Sequence, residues 1–375
     1  MNLSYWERET FFANTDVAIA GSGIVGLSAA YYLKKKNPSL KILVLERGTL
    51  PSGASSKNAG FCCFGSPSEL LDDLSKNGEE KVFSLVEKRW MGLQNLRQLL
   101  GDSDIDFQQN GGYELFTEKD KILYDKCAEK LNYLNKNLEK IVGKNVYEIN
   151  DSRIEKFGFK NVRHVIENKY EGQIDTGKMI RNLISLAREN DVQILNGILI
   201  SSFNNSGNKI TLETSAGKIF AKKFLVCTNG FAKQLLPELP VNPARAQVLI
   251  TKPIENLKLK GVFHYDEGYY YFRNIHSRIL FGGARNLDFE GEETTEMNFT
   301  EKIQNRLEEL LRTMILPEQK FEIDMRWSGI MGVGNEKAPI IKEISENIFC
   351  AVRMGGMGVA IGTLVGKEAA DLLSD

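Results

Sequence analysis

Asp16-Val-Ala-Ile-Ala-Gly21-Ser22-Gly23-Ile24-Val25-Gly26-Leu-Ser-Ala-Ala30 decides the fold. Asp16 to Ala20 is short, apolar and partly β-branched, the composition of a buried parallel strand. Gly21, Gly23 and Gly26 follow in the spacing G-x-G-x-x-G. Ile24 to Lys36 has few breakers and reads as a helix. Lys41 to Leu45 (KILVL) reads as a second buried strand. It ends in Glu46, twenty residues past Gly26.

Each residue type in this run has a physical job. Gly21 permits a tight turn out of the strand, Gly23 lets backbone approach a pyrophosphate, and Gly26 lets the helix pack on the strand. The helix start offers free N–H groups and the positive end of its dipole. Glu46 can accept hydrogen bonds from both hydroxyls of an adenosine ribose, and its charge disfavours a 2′-phosphate. Strand, glycines, helix, strand and acid in this order predict a dinucleotide cradle rather than a plain βαβ packing turn. Its members are Gly21, Ser22, Gly23, Ile24, Val25 and Gly26, with Glu46 and Arg47 at the ribose.

The totals bound what else the chain can be. Its 375 residues can hold two cores of ordinary size. A formal charge of −1 gives no global attraction to nucleic acid or to an anionic membrane, so neither is an expected partner. No apolar run approaches ~18 residues, so no membrane span is expected. Met1 to Thr10 carries Glu7, Arg8 and Glu9 and lacks a signal-peptide core. Five cysteines, two of them adjacent at Cys62 and Cys63, make neither a disulfide framework nor a zinc spacing. A reduced, cytoplasmic compartment and no metal are the expectations. His164, His264 and His276 have no ligand spacing and receive no role.

Along the chain, Met1 to Thr15 reads as a lead-in that packs Trp6 and Phe11. A small-residue loop, Pro51 to Gly65, exposes backbone amides where a long cofactor would continue past the ribose. Ala54, Ser55, Ser56, Asn58, Ala59 and Gly60 belong to it. Phe61, Cys62, Cys63 and Phe64 are four apolar residues in a row, rarely solvated. Ser66 to Glu69 looks like a helix start, and Glu79 to Leu100 a longer helix. Asp106 to Gln109 and Gly112 to Phe116 read as a hairpin around Asn110-Gly111. Lys119 to Ile141 reads as a solvated amphipathic helix. No chemistry is expected from this segment. Phe224 to Thr228 is another buried strand, ending in Asn229-Gly230, and can sit beside the first. Pro240 to Thr251, Tyr269 to Arg273 and Ile279 to Ala284 read as strands of a second sheet. Ile348 to Val352 is a strand, followed by a glycine turn and a last helix from Val359 to Leu373. The nucleotide domain is therefore expected in three pieces, 1–75, 151–236 and 327–375, with a substrate domain at 76–150 and 237–326.

Four stretches together resemble the D-amino-acid oxidase superfamily of FAD enzymes, in the branch with glycine oxidase, sarcosine oxidase and γ-glutamylputrescine oxidase. They are Ala20-Gly21-Ser-Gly23-Ile-Val-Gly26-Leu-Ser-Ala-Ala, Gly53-Ala-Ser-Ser56-Lys-Asn58-Ala-Gly60, Arg278-Ile-Leu-Phe-Gly282-Gly283 and Gly355-Gly-Met-Gly358-Val. Trp327-Ser-Gly, with Pro339 twelve residues on, adds a fifth. The resemblance implies an α/β fold: a Rossmann-like FAD-binding domain plus an α+β substrate domain with a large antiparallel sheet. It implies FAD contacts at the cradle, at the loop from Ala54 to Phe61, and at Leu199, Thr228, Asn229, Gly230, Trp327, Arg353, Gly355, Gly356, Met357, Gly358 and Val359. It also implies an activity. A hydride leaves the carbon next to an amine nitrogen for the flavin, the imine hydrolyses, and O₂ or another acceptor reoxidises the flavin. Such chemistry needs orientation, a dry pocket and charge stabilisation on the reduced ring. A helix start behind Gly355 to Gly358 can supply the last.

For the substrate, the resemblance points to Tyr270, where glycine oxidase keeps a tyrosine. Strand alternation puts Tyr270 and Phe272 on one face, and Tyr269, Tyr271 and Arg273 on the other. All three tyrosines could equally be sheet packing. Arg273 is the nearest carboxylate anchor if a bulge reverses the strand. Relatives carry a carboxylate-binding arginine where this chain has Met331, and several carry histidine at Met357. The expected substrate therefore has an apolar amine end, as in an N-alkylated or polyamine-type molecule, unless Arg245, Arg273, Arg326 or Arg353 replaces the missing charge. No cysteine lies between Arg326 and Gly334, where sarcosine oxidases attach flavin, so FAD is expected to be non-covalent. Two other readings are a tRNA-modifying flavoenzyme, disfavoured by the absence of a basic stripe, and a flavoprotein that binds a partner without turnover.

Overall fold

β1 (Thr15–Ala20) is the axis of the first sheet. A computed structural model describes residues 4–207 and 209–374. β1 pairs in parallel with β2 (Ile42–Glu46) on one side and β11 (Gly217–Val226) on the other. β8 (Gln193–Asn196) extends the sheet beyond β2, and β18 (Ile348–Val352) beyond β11, both parallel. β17 (Ile340–Ser345) closes one edge antiparallel to β18. β9 (Ile200–Asn205) and β10 (Ile210–Thr214) form an antiparallel meander off β11. β2 and β18 are buried throughout, as continuous apolar runs covered on both faces must be. The expected strand before Asn229 thus lies beside the first strand.

Four helices cover one face of this sheet. They are α1 (Ile24–Lys36), α3 (Glu79–Leu100), α5 (Thr176–Glu189) and α7 (Gly358–Ser374). Leu27, Leu93, Ile180 and Ile361 meet Ile19 and Val44 in the core between them. The opposite face packs Ala18, Leu43 and Phe224 under the meander.

The second sheet runs in the order β16 (Ile323–Val333), β12 (Asn242–Thr251), β15 (Arg278–Gly283), β14 (Tyr270–Ile275), β13 (Val262–Tyr265), β4 (Gly112–Thr117), β6 (Val162–Asn168) and β5 (Tyr147–Ile149). Among the described residues of this sheet, only β13 and β4 pair in parallel. α6 (Glu301–Leu310) packs under one end, with Leu307 against Phe263 and Phe281 in one core. α2 (Pro67–Lys76) and α4 (Lys121–Leu138) pack at the other end. Between the sheets, β3 (Phe61–Cys62) and β7 (Gly172–Gln173) form a two-stranded clamp.

Several expectations change. Gly112 to Phe116 does not form a hairpin with Asp106 to Gln109: β4 pairs with β6 and β13, and Gln108 bridges to Gln173. Residues 162–168 belong to the substrate sheet, as does all of β16 to Val333. Leu93, Leu96 and Leu100 of α3 belong to the nucleotide core, and Val82 and Val86 of the same helix to the other. α3 thus contributes to both cores. Trp6 is 75% exposed and Phe11 is exposed too, so Phe12, not they, packs on the core. α4 is only half solvated, since Cys127, Leu131, Leu134 and Leu138 face inward.

α7 is held by close backbone approach. A methyl on Gly366 would lie 2.6 Å from Ser28 Cβ and 2.8 Å from the Val25 carbonyl oxygen, both on α1. On its other side, a methyl on Gly92 of α3 would overlap the Ala360 carbonyl, and Thr363 Oγ1 donates to the Gly92 carbonyl at 2.9 Å. Gly366→Val forces α1 and α7 apart. Urea unfolding should show a loss of about 2–3 kcal/mol, and an unchanged midpoint would show that the seam is loose.

Candidate active site

A cleft of about 390 Å³ is lined by both sheets and reaches from the start of α1 to the start of α7. At one end the chain leaves β1 through Gly21, whose φ of +100° favours glycine. A methyl on Gly26 would overlap the Gly21 carbonyl, so α1 starts hard against the turn. Gly21, Gly23, Ile24 and Val25 line the cleft. Ser55 Oγ accepts from Ile24 N–H at 3.0 Å, which ties the small-residue loop to the helix start.

Glu46 is 6% exposed and stands on the cleft wall. One carboxylate oxygen accepts from Ser22 N–H (3.2 Å) and Ser22 Oγ (3.0 Å); the other accepts from Gly48 N–H (2.9 Å) and Ser52 Oγ (3.0 Å). Four donors fix its orientation. Ser22 is thus a brace behind the acid and not part of the wall. Arg47 lines the cleft with its guanidinium 3.7 Å from the Phe231 ring centroid.

The loop wall is Ala54, Ser55, Asn58, Ala59, Gly60 and Phe61. Ser56 turns away and donates to the Pro51 carbonyl. Asn58 Oδ1 accepts from Gly60 N–H (2.8 Å) and Thr176 Oγ1 (3.1 Å), which sets the loop's curvature. Trp327 is behind the wall: its Nε1 donates to the Lys57 carbonyl at 3.0 Å and staples the loop to β16.

At the far end, Thr228 and Asn229 line the cleft with Gly355, Gly356, Met357, Gly358 and Val359, while Leu199 lines it at the Glu46 end, where Ile198 N–H donates to the Glu46 carbonyl at 2.9 Å. Asn229 Oδ1 accepts from Arg353 N–H (3.0 Å) and Met354 N–H (3.2 Å), joining the two glycine turns. Gly230 packs on the Met331 carbonyl and does not reach the cleft. Arg353 is buried away from the cleft, with Nε on the Ala338 carbonyl at 2.9 Å. A fixed acid, a helix start at each end and a wall of small residues fit the adenosine, pyrophosphate and pyrimidine parts of FAD.

The substrate-side expectation needs correction at two residues. Tyr270 is 2% exposed and packs against Phe281 and Tyr265 under the sheet. The alternation holds, but the opposite face meets the cleft, so Tyr269 and Tyr271 line it. Arg273 shares their face yet lies beyond the wall. Its guanidinium donates to the Ile174 carbonyl at 2.9 Å, and burial pushes its pKa down to about 10. Met331 does line the cleft. Arg245 is bonded to Glu292, and Arg326 to Glu308.

Among the lining residues to which the sequence assigned no role are Glu69, His264 and Arg285. Ser66 to Glu69 signalled only a helix start, and there Glu69 accepts from Ser66 N–H at 3.0 Å in a capping box. His264 Nε2 lies 3.2 Å from Glu171 Oε2. Burial alone would lower the imidazole pKa, but the hydrogen bond and charge of Glu171 outweigh it and raise it to about 9. Cys63 Sγ, Glu171 and His264 lie within 4.8 Å of one another. Burial holds the Cys63 thiol well above its usual range, and its Sγ is 3.7 Å from Met357 Sδ. Burial also raises the Tyr271 phenol to about 12. No spacing in the sequence links residues 63, 171 and 264, so only the fold brings them together. Among the described residues no helix is long and apolar enough to cross a membrane.

Comparison with known proteins agrees with this geometry. The family profile described as "DAO: FAD dependent oxidoreductase" matches residues 16–372. A probable oxidoreductase OrdL of Rhizobium meliloti is 23% identical over 382 residues, covering 95% of this chain and 82% of that protein. Glycine oxidase from Bacillus cereus superposes with a TM-score of 0.76 at 18% identity, covering 96% of this chain and 95% of that one. L-proline dehydrogenase from P. horikoshii does so with a TM-score of 0.75 at 18% identity, covering 96% and 93%. A profile that spans nearly the whole chain, on a fold with the cleft just described, shows that this protein belongs to the DAO family of FAD-dependent oxidoreductases.

Proposed function

We propose that the enzyme oxidises the C–H bond next to the nitrogen of a small amine or amino acid, with FAD held non-covalently and O₂ as the electron acceptor. One observation carries this reading. A single cleft joins the Glu46 cradle to the Gly355–Gly358 turn and opens among Tyr269, Tyr271, Met331 and Met357. When bound, FAD supplies a ring that accepts a hydride from the substrate carbon.

The residues of this chain supply the rest. Glu46 and the α1 start hold the cofactor's nucleotide half, and the α7 start favours negative charge at its other end. Met331, Met357 and Phe61 give the substrate end an apolar lining that excludes water, suited to an uncharged amine. Glu69 places a carboxylate on the same wall, able to take the proton that an incoming ammonium must lose. His264 and Glu171 share one proton between Nε2 and Oε2, a balanced pair that adds no net charge. Cys63 and Cys227 line the cleft, and burial raises both thiols, so neither offers the thiolate that a covalent flavin link needs.

Three outcomes are expected. In an anaerobic screen of primary and N-methyl amines and of amino acids, at least one compound bleaches the flavin band, and air restores it with release of peroxide. Failure of every compound would remove the reading. Acid precipitation should leave a colourless pellet and free FAD in the supernatant; a yellow pellet would mean a covalent link. The third concerns pH. The folded pKa of His264, about 9, lies above its ordinary value of 6.5. The stabilisation from the pair is therefore complete below about 6.5 and is lost as pH rises through about 9. The thermal midpoint of the wild type should fall across that window more than that of His264→Gln; equal slopes would show that the imidazole is not paired.

A further inference from the structure

We propose that Arg285 anchors an anionic group of the substrate, a carboxylate on an amino-acid-type molecule whose nitrogen lies toward Met331 and Met357. The proposal deepens the amine-oxidation reading and rests on it. Arg285 follows β15 through Ala284, a residue with φ +62°. That turn is pinned by Ala284 N–H donating to the Tyr269 carbonyl at 2.9 Å. It places Arg285 on the cleft wall close to Tyr269, whose carbonyl holds the turn.

The guanidinium is unusual in having no partner. Among the described residues it makes no side-chain hydrogen bond or ion pair, and its Nε is buried without an acceptor. The other arginines that could have replaced the missing anchor are spent. Arg245 holds both oxygens of Glu292, Arg273 holds the Ile174 carbonyl, Arg326 holds Glu308, and Arg353 holds the Ala338 carbonyl. Glu293 and Glu292 are the acids whose charge Arg285 feels, but neither hydrogen-bonds to it, and Glu292 is already bonded to Arg245 and Gln247. Phe289 gives the guanidinium an apolar platform, 4.9 Å from the ring centroid, and leaves its fork of donors free. Burial lowers the guanidinium's pKa and outweighs the opposing charges of Glu293, Tyr269 and Glu292.

A half-buried cation with free planar donors is matched best by a carboxylate, which can accept two parallel hydrogen bonds. Glu69 stands on the same cleft, a carboxylate that favours the nitrogen end of a substrate over its anion. Charge therefore orders the substrate: anion toward Arg285, amine toward Met331 and Met357. A plain polyamine would leave Arg285 uncompensated.

The test uses the FAD-loaded wild type, Arg285→Gln and Arg285→Lys. Calorimetric titration compares acetate, benzoate and anthranilate with acetamide, benzamide and anthranilamide. At least one acid should bind the wild type roughly tenfold tighter than its amide, a preference lost in Arg285→Gln and partly kept in Arg285→Lys. FAD content and thermal midpoint should match in all three. For a carboxylate-bearing amine that bleaches the flavin, KM should rise about tenfold or more in Arg285→Gln with kcat little changed. Amines without a carboxylate should be unaffected. Acids that bind no better than amides, a preference that survives Arg285→Gln, or loss of FAD from that variant would each overturn the anchor. If no amine bleaches the flavin while acids still bind through Arg285, the amine reading falls and the anchor stands.

Discussion

The close approach of α1 and α7 is the constraint on which the site depends. Gly366 lets α7 lie against Ser28 and Val25, and Gly92 lets α3 press it from the other side. Two helix starts more than three hundred residues apart in sequence, at Ile24 and Gly358, are thereby fixed on one cleft. Each presents unsatisfied N–H groups and the positive end of a dipole. Asn229 completes the arrangement, since one side-chain oxygen ties the turn after β11 to the backbone of the C-terminal glycine turn. A cofactor with negative charge near both ends finds its electrostatic partners already built.

Charge at the substrate end follows from what is and is not paired. Glu292 is neutralised by Arg245, and Glu171 by His264. Pairs of this kind set geometry and add little net field. Against that background Arg285 and Glu69 are charges on the cleft wall that neither pair neutralises. The cysteine and the methionines between them are soft, neutral and dry, which suits a reaction that moves a hydride and needs no strong side-chain base.

Local chemistry was legible in the sequence where one short stretch carried the whole signal. The cradle from Gly21 to Gly26, the acid at Glu46, the loop to Phe61 and the turn at Gly355 to Gly358 all stand on the cleft or directly behind it. What lies between strands distant in sequence was not legible. β4 pairs with β13 in parallel, a contact that the hydrophobic pattern of neither strand encodes. Period-two alternation sorted Tyr270 from Tyr269 and Tyr271 correctly, but it could not say which face meets the core. Glu171, His264 and Cys63 come from three elements, and none looks functional alone. Arg285 sits after a left-handed alanine, a conformation that a sequence does not announce.

The most direct measurement is a crystal structure of the yellow holoprotein. Continuous FAD density should run with its ribose on Glu46, its pyrophosphate at the α1 start and the pyrimidine edge of its ring at Gly355 to Gly358, leaving Tyr271 and Met331 facing the ring. FAD bound elsewhere, or a fully loaded protein whose ring lies away from the C-terminal turn, would contradict the account.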